Sequence, residues 1–424
     1  MLWIDISDIR DHARHSRSVT GIQRASLNII EKLLEREADA RLVVFDAELQ
    51  AYREISLDEL WWIPLSARLR SIGLISILAR PLPRSWIVQV RDFINQLSPT
   101  SKRFNKGICR FEPGDRFLFL GAFWYRPDHV DRLIDVTFSN RLDLFVLVYD
   151  IIPLTHHRWY PPGFVSAWQD QLERLLRVTK GIFVISKETA SQLSLYIEKA
   201  GIKSAPINVL RLGDPVFMEA SSAKADIELA TKREFVLMVS SIDVRKNQMS
   251  LALVWSRLLR EYGDAIPDLV LVGKDATGNA QIHAFVDSND ALTRRVKFVQ
   301  NADDATLRRY YEECLFTVFP SFAEGWGFPV AESLMFGKPC IASRTTSIPE
   351  VGGTLCTYID PHDLDDIYQA VVSLIFDKRR RDEEGGRIAE EFKATTWEST
   401  AESILREVQA PRVSAAPAAP ALAL

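Results

Sequence analysis

"SFAEGWGFPVAESLMFGKPC", residues 321–340, holds two carboxylates eight positions apart, Glu324 and Glu332, with glycines and a proline between them. The run "FTVFPS" (316–321) leading into it is apolar and strand-like, "FAEGWG" is a loop, and "FPVAESLMF" has helical spacing. Pro329 suits a first helical turn and Gly337 a C-terminal stop. Glu332 is then expected in the first turn, where the helix dipole favours an anion. Glu324 is expected in the loop at the carboxyl end of the strand, where open α/β sheets bind ligands. Gly325 and Gly327 let the backbone come close to a ligand and present amide donors. Carboxylates accept hydrogen bonds from hydroxyls, so the pair suits a polyhydroxylated ligand, a sugar or a ribose. For either Glu alone, a helix-capping side chain beside an ordinary turn is the plain alternative.

The strand-loop-helix rhythm extends in both directions. Upstream, "RLVVFDAEL" (41–49), "RFLFLGAFW" (116–124), "LDLFVLVYDI" (142–151) and "GIFVIS" (181–186) are continuous apolar runs, as in buried parallel strands. Helical patterns at 21–37 and 162–179 separate them. After a polar stretch at 218–232 the rhythm restarts, with strands expected at 235–241, 268–273, 295–300, 316–321 and 339–343. The expected architecture is α/β, with two Rossmann-like domains facing across a cleft. The N-terminal one takes residues 1–215, with a basic amphipathic insertion at about 60–110, and the C-terminal one residues 233–392. A closing helix at 393–409 follows, then a Pro/Ala-rich tail at 410–424 expected to be disordered.

Size and composition are consistent with that reading. A chain of 424 residues is long for one core. Its 47% apolar and 25% charged residues are ordinary for a globular protein, and a net charge of −4 gives no global attraction to nucleic acid. The four cysteines (Cys109, Cys314, Cys340, Cys356) lack metal or redox spacing and read as free thiols in a reducing compartment. The N-terminus reads as a strand rather than a signal peptide, and no apolar run approaches the roughly 20 residues that span a bilayer. A cytoplasmic protein is expected. From Ser66 to Arg110, nine Lys or Arg stand against one acid, Asp92, interleaved with Trp86, Phe93 and aliphatic residues. That pattern points to contact with the anionic inner face of a membrane, with a solvated insertion as the alternative.

Three further constellations accompany the opening stretch. In "VLMVSSIDVRKNQ" (236–248), Arg245 and Lys246 follow a strand and precede a helix, a plausible diphosphate clamp. In "SRSVTGIQRAS" (16–26), Thr20 caps a helix whose first residue, Gly21, would let a phosphate reach exposed amides; a plain helix start is the alternative. In "VYDIIPLTHHRWYPP" (148–162), a buried strand runs out into Tyr149, Asp150, His156, His157 and a Trp-Tyr pair, side chains that suit a sugar. Adjacent histidines point apart and no third ligand accompanies them, so no metal site is expected.

Taken together these motifs resemble glycosyltransferase family 4, retaining transferases of the GT-B fold. "EGWGFPVAE" is similar to that family's Glu-x7-Glu signature, and "TGIQR" (20–24), "YDIIPL" (149–154), "RKNQ" (245–248) and "GKPCIASRTTSIPEVGG" (337–353) occur in the family's order. The likeness runs to about residue 409 and is closest to bacterial O-antigen and exopolysaccharide enzymes, many of which use GDP-mannose. It implies transfer of a hexose, mannose or similar, from a nucleotide-diphosphate sugar to a saccharide or polyprenyl-linked acceptor. It further implies that Glu332 binds the ribose, that Glu324 lies against the transferred sugar, and that Arg245 and Lys246 neutralise the diphosphate. Gly21 would admit the diphosphate, the amides of Trp326, Gly327 and Phe328 would contact the sugar, and Asp150 would face it from the opposite domain. Tyr149 and His156 are further sugar- or acceptor-facing candidates. No metal or other cofactor is implied, because the two cations do a metal's work. Two positions depart from the family: Tyr149 stands where a His is common, and Ser240 or Ser241 replaces a Gly after the first strand of the C-terminal domain. A sugar phosphorylase, a glycoside hydrolase and a non-catalytic nucleotide-sugar-binding protein are the rival readings.

Overall fold

The computed structural model describes residues 1–15, 20–55, 107–215, 228–276 and 278–410. The basic segment from Ser66 to Arg110, apart from its last four residues, and the tail beyond Ala410 lie outside the described residues.

Two sheets organise the chain. The first has seven strands in the order β3-β2-β1-β4-β5-β6-β7: β1 Leu2–Asp5, β2 Ala40–Asp46, β3 Ala51–Ile55, β4 Arg116–Phe119, β5 Asp143–Val148, β6 Gly181–Val184 and β7 Ile207–Val209. Among the strand pairs of the described residues, only β2–β3 is antiparallel. The second has six parallel strands in the order β10-β9-β8-β11-β12-β13: β8 Phe235–Val239, β9 Asp268–Val272, β10 Val296–Val299, β11 Thr317–Phe319, β12 Cys340–Ser343 and β13 Thr357–Ile359. In both, the strand order reverses beside the first strand, and the loops from the carboxyl ends of β8 and β11 enclose a crevice at that switch point.

The central strands coincide with the continuous apolar runs because helices cover both faces of each sheet. In β8 ("FVLMV") the first four residues are buried, and in β9 ("DLVLV") all five. The three strands that sequence reading passes over, β3, β7 and β13, have three to five residues each and lie at sheet edges, where periodicity has little length in which to show.

The last helix, Trp397–Gln409, returns to the first half and packs on the helix Gly21–Arg36. Trp397, Ala401, Ile404 and Val408 are buried there, and Lys32–Glu398 and Arg36–Glu402 ion pairs (both 3.0 Å) rim the contact. The two chain crossings meet where Thr395 N–H donates to Asp214 Oδ2 (2.8 Å) and Trp397 Nε1 donates to Asp214 O (3.0 Å). A single apolar cluster extends from Leu2 and Ile29 of the first half through Trp326 and Val330 of the second to Ile404. The two halves are thus packed together, with the cleft between them. Among the described residues, no helix is long and apolar enough to cross a membrane.

Candidate functional site

The loop after β8 turns tightly. Asp243 accepts a hydrogen bond from Arg245 N–H (2.9 Å), and Asn247 takes a left-handed conformation (φ 63°) before the helix Gln248–Tyr262. Asn247 Nδ2 donates to Pro320 O (3.2 Å) and Pro361 O (2.9 Å), tying this loop to the one after β11. The turn directs Arg245 and Lys246 at Glu324. Arg245 Nη1 lies 2.7 Å from Glu324 Oε2 and Lys246 Nζ 2.6 Å from Oε1. Burial alone would raise the Glu324 carboxyl, but the two cations overcome it and hold it at about 2. Burial and the neighbouring Arg245 charge depress Lys246, against the pull of Glu324. The Glu324 carboxylate therefore acts first as the counter-ion that keeps two buried cations in place.

A second loop fixes this turn. Glu324 N–H donates to Thr346 Oγ1 (2.9 Å), and Ser347 Oγ donates to the carbonyls of Glu324 (2.8 Å) and Trp326 (2.9 Å). Thr346 holds its position at φ 51°, a left-handed conformation that a β-branched residue rarely adopts. The N–H groups of Gly325, Trp326, Gly327 and Phe328 donate to no described residue, leaving a row of amides at the helix start. Ser321 Oγ and Trp326 Nε1 are also buried with no hydrogen-bond partner among the described residues.

The helix begins at Phe328, with Gly327 (φ 132°) preceding it, and Gly337 (φ 65°) ends it as expected. Glu332 is its fifth residue, so the expected first-turn placement is corrected: the helix starts directly after Gly327. Glu332 faces Tyr311, whose hydroxyl donates to Oε2 (2.6 Å), and Arg24 of the opposite half, 3.5 Å from Oε1. Burial raises this carboxyl, opposed by the Arg24 charge and the Tyr311 hydrogen bond.

Across the cleft the approach is close. A Cβ on Gly325 would lie 2.7 Å from Tyr149 O and 3.0 Å from Asp150 Cβ, so only glycine fits. Asp150 accepts from Ile152 N–H (2.9 Å); burial raises its carboxyl, opposed first by Arg245. Gly21 opens its helix facing Phe328, where a Cβ on it would lie 3.8 Å from the ring, with Gln23 Oε1 accepting from Thr20 N–H (3.3 Å). Tyr149 behaves differently from the expected cleft-facing role. The residue is 6% exposed and its side chain joins the apolar cluster shared by the two halves, with its hydroxyl 2.8 Å from Ser26 Oγ. Its carbonyl, not its phenol, borders the cleft. Ser240, at the position of the other departure, has its hydroxyl engaged by Gln248 Nε2 (2.9 Å).

His156 stacks on Trp159 (4.6 Å between centroids, 8°), Trp159 on Phe322 (6.1 Å, 28°), and Phe322 on His362 (4.7 Å, 25°). The first two rings belong to one half and the last two to the other, so the stack crosses the cleft beside Arg245. Burial lowers His156, and Arg245 and His362 lower it further. Tyr160, pushed up to about 12 by burial, stands near the same charges. Trp159 and Tyr160 are the Trp-Tyr pair that the sequence offers, whereas Phe322, His362, Thr346, Ser347 and Arg24 escape a reading by sequence, since the contacts of each are with partners remote in the chain. Only the aromatic-rich "HHRWYPP" carries a local signal. Among the described residues, no group of three or more His, Cys, Asp or Glu could hold a metal ion.

Two facing parallel sheets with a charged crevice at their switch points define the GT-B class of fold. Solved structures of similar fold include Anabaena Alr3699/HepE in complex with UDP and glucose (TM-score 0.61, 15% identity, covering 97% of this chain and 99% of that one). Sucrose-phosphate synthase from Thermosynechococcus elongatus is another (TM-score 0.61, 16% identity, 96% and 98%). Residues 233–377 match the family described as glycosyl transferases group 1. Over 259 residues the chain is 26% identical to the serotype-specific mannosyltransferase WbdA of Escherichia coli, covering 60% of this chain and 32% of the relative. It is 23% identical over 290 residues to the O-antigen chain mannosyltransferase B of Escherichia coli, covering 67% and 71%. The chain thus spans about a third of the length of the first of these relatives.

Proposed function

We propose that the chain is a retaining glycosyltransferase. It moves a hexose, mannose or a similar sugar, from a nucleotide-diphosphate sugar to a saccharide or lipid-linked saccharide in the synthesis of bacterial surface polysaccharide. The observation that carries this is the Arg245–Glu324–Lys246 cluster, set at the carboxyl ends of β8 and β11 beside unpaired loop amides and facing Asp150. The mannosyltransferase relatives support the sugar and the polysaccharide product, with GDP-mannose as the donor to test first.

In this reading the two cations and the helix amides stabilise charge on the departing diphosphate. The leaving phosphate oxygen takes the proton of the acceptor hydroxyl, and the sugar passes through an oxocarbenium-like state on one face. Glu324 orients the sugar and holds the cations, without attacking. Its low proton affinity suits a permanently charged group rather than an acid. Glu332 receives the ribose hydroxyls. The ring stack from His156 to His362 lies beside this centre, where an acceptor saccharide enters.

The test is a thermal-shift screen of GDP-mannose, UDP-glucose, dTDP-glucose and ADP-glucose, without metal, on wild type and Glu332→Ala. A donor at about 100 Kd adds roughly 2.7 kcal/mol to the native state. One nucleotide sugar is expected to stabilise wild type and not the variant; no shift from any of the four would overturn the reading. Turnover with that donor and NMR of the product anomer then separate a retaining transferase from a binding protein.

A further inference from the structure

The helix Gly21–Arg36 belongs to the N-terminal half, yet its first turn is aimed at the other half. One turn in from Gly21, Arg24 crosses the cleft. Its Nη1 is 3.5 Å from Glu332 Oε1 and its Nη2 3.8 Å from Asp304 Oδ1, at the start of the helix Asp304–Glu313. The Glu332 side chain is 4% exposed and that of Arg24 24%. The groups facing the carboxylate are therefore the Arg24 guanidinium from the opposite half and the Tyr311 hydroxyl from its own, with Asp304 sharing the cation.

A carboxylate sunk among apolar groups tends to take up a proton unless a cation or donors oppose it. Among the described residues, the only cation in contact comes from the other half of the molecule, so it is present when the halves are together and withdrawn when they part. An ionised carboxylate offers about four lone-pair sites. Tyr311 and Arg24 use two, leaving room for both hydroxyls of a vicinal diol without displacing either.

We propose that Arg24 is a positioning residue of the nucleotide site: from the N-terminal half it orients the Glu332 carboxylate toward a vicinal diol, so that ribose recognition is complete only with the cleft closed. This rests on the reading of Glu332 as the ribose acceptor. It makes the N-terminal helix a part of donor recognition through a side chain, beyond the approach that Gly21 permits.

The test is calorimetric titration of the full chain with the four nucleotide sugars of the screen, at pH 8 and pH 5.5, using wild type, R24Q, R24K, E332Q and R24Q/E332Q. Wild type binding none of them overturns the donor reading itself, a result visible without any variant. With a donor found, R24Q is expected to weaken binding about tenfold at pH 8, the scale of one lost charge-assisted contact. The loss is larger at pH 5.5, because removing the cation lets Glu332 protonate at higher pH. R24K is expected to keep the wild-type pH dependence, and the double variant to bind no worse than E332Q. Equal weakening at both pH values, or losses that simply add in the double variant, would reduce Arg24 to a structural role and overturn the proposal. If R24Q does not fold, D304N replaces it. Removing the acid that shares Arg24 should tighten binding at pH 5.5, and unchanged or weaker binding there overturns the proposal equally.

Discussion

Glu324 and Glu332 stand at opposite ends of one loop and helix, both buried, yet their surroundings are opposite. Glu324 has two cations within 2.7 Å and is held at about 2. Glu332 has a phenol at 2.6 Å and one guanidinium at 3.5 Å, and its carboxyl is raised. Burial pushes both the same way; the number and distance of the cations decide the outcome. The first is a charge held fast, suited to keeping the buried Arg245–Lys246 pair in place. The second is under-neutralised and has lone pairs to spare, suited to accepting hydroxyls. Two glutamates of one motif thus receive different roles from neighbours that the motif does not contain.

The largest effect should come from removing the counter-ion. Glu324→Ala leaves Arg245 and Lys246 buried beside each other, and breaking a buried pair in this way costs about 3–5 kcal/mol; urea unfolding of the variant measures it. A loss below 1 kcal/mol would mean that the cations find water and that the cluster is looser than it stands here. Next, Arg245→Ala should lower turnover by about 10²–10³-fold, as loss of a donor to developing charge does elsewhere, with a smaller change in KM. A variant within threefold of wild type in steady-state assays would contradict the assigned role.

The contrast also has a pH signature. The folded-state value of Glu324 lies below its unfolded value of about 4.3. Its contribution to stability is present above that pH and is lost as pH falls toward about 2. Glu332 is raised, so its slope is opposite: it weakens the fold while ionised, and that cost is relieved as pH falls. Glu324→Gln should therefore flatten the stability–pH curve between about pH 5 and pH 2, and Glu332→Gln should not; chemical denaturation across that range reads both. Identical curves would erase the distinction. Smaller still, Gly325→Ala places a Cβ 2.7 Å from Tyr149 O, so the halves must shift apart at a cost of about 1–3 kcal/mol. Small-angle scattering should show a more open molecule than wild type. Thr346→Ala, which removes the acceptor of Glu324 N–H, should cost about 0.5–1.5 kcal/mol by thermal unfolding.

Much of the architecture was legible in the chain. The runs at 235–241 and 268–273 contain β8 and β9 because strands covered on both faces must be apolar throughout, and Pro329 and Gly337 mark the helix between them for stereochemical reasons. The Glu324–Glu332 spacing and the Arg-Lys pair were legible too, since each is local. Tyr149 was misread: its place at the end of a strand says nothing of which way a phenol turns, and packing turned it toward Ser26.

By itself, then, the sequence determined the two β/α halves, the loop that carries Glu324, and the pairing of residue types that suits a phosphorylated sugar. Tertiary structure alone decided which charges meet. Glu324 finds its cations 78 and 79 positions away, and Glu332 finds Arg24 at a separation of 308. A carboxylate's charge, orientation and affinity depend on the groups within a few ångströms of it. In a fold whose halves close on each other, those groups come from segments that no local pattern connects.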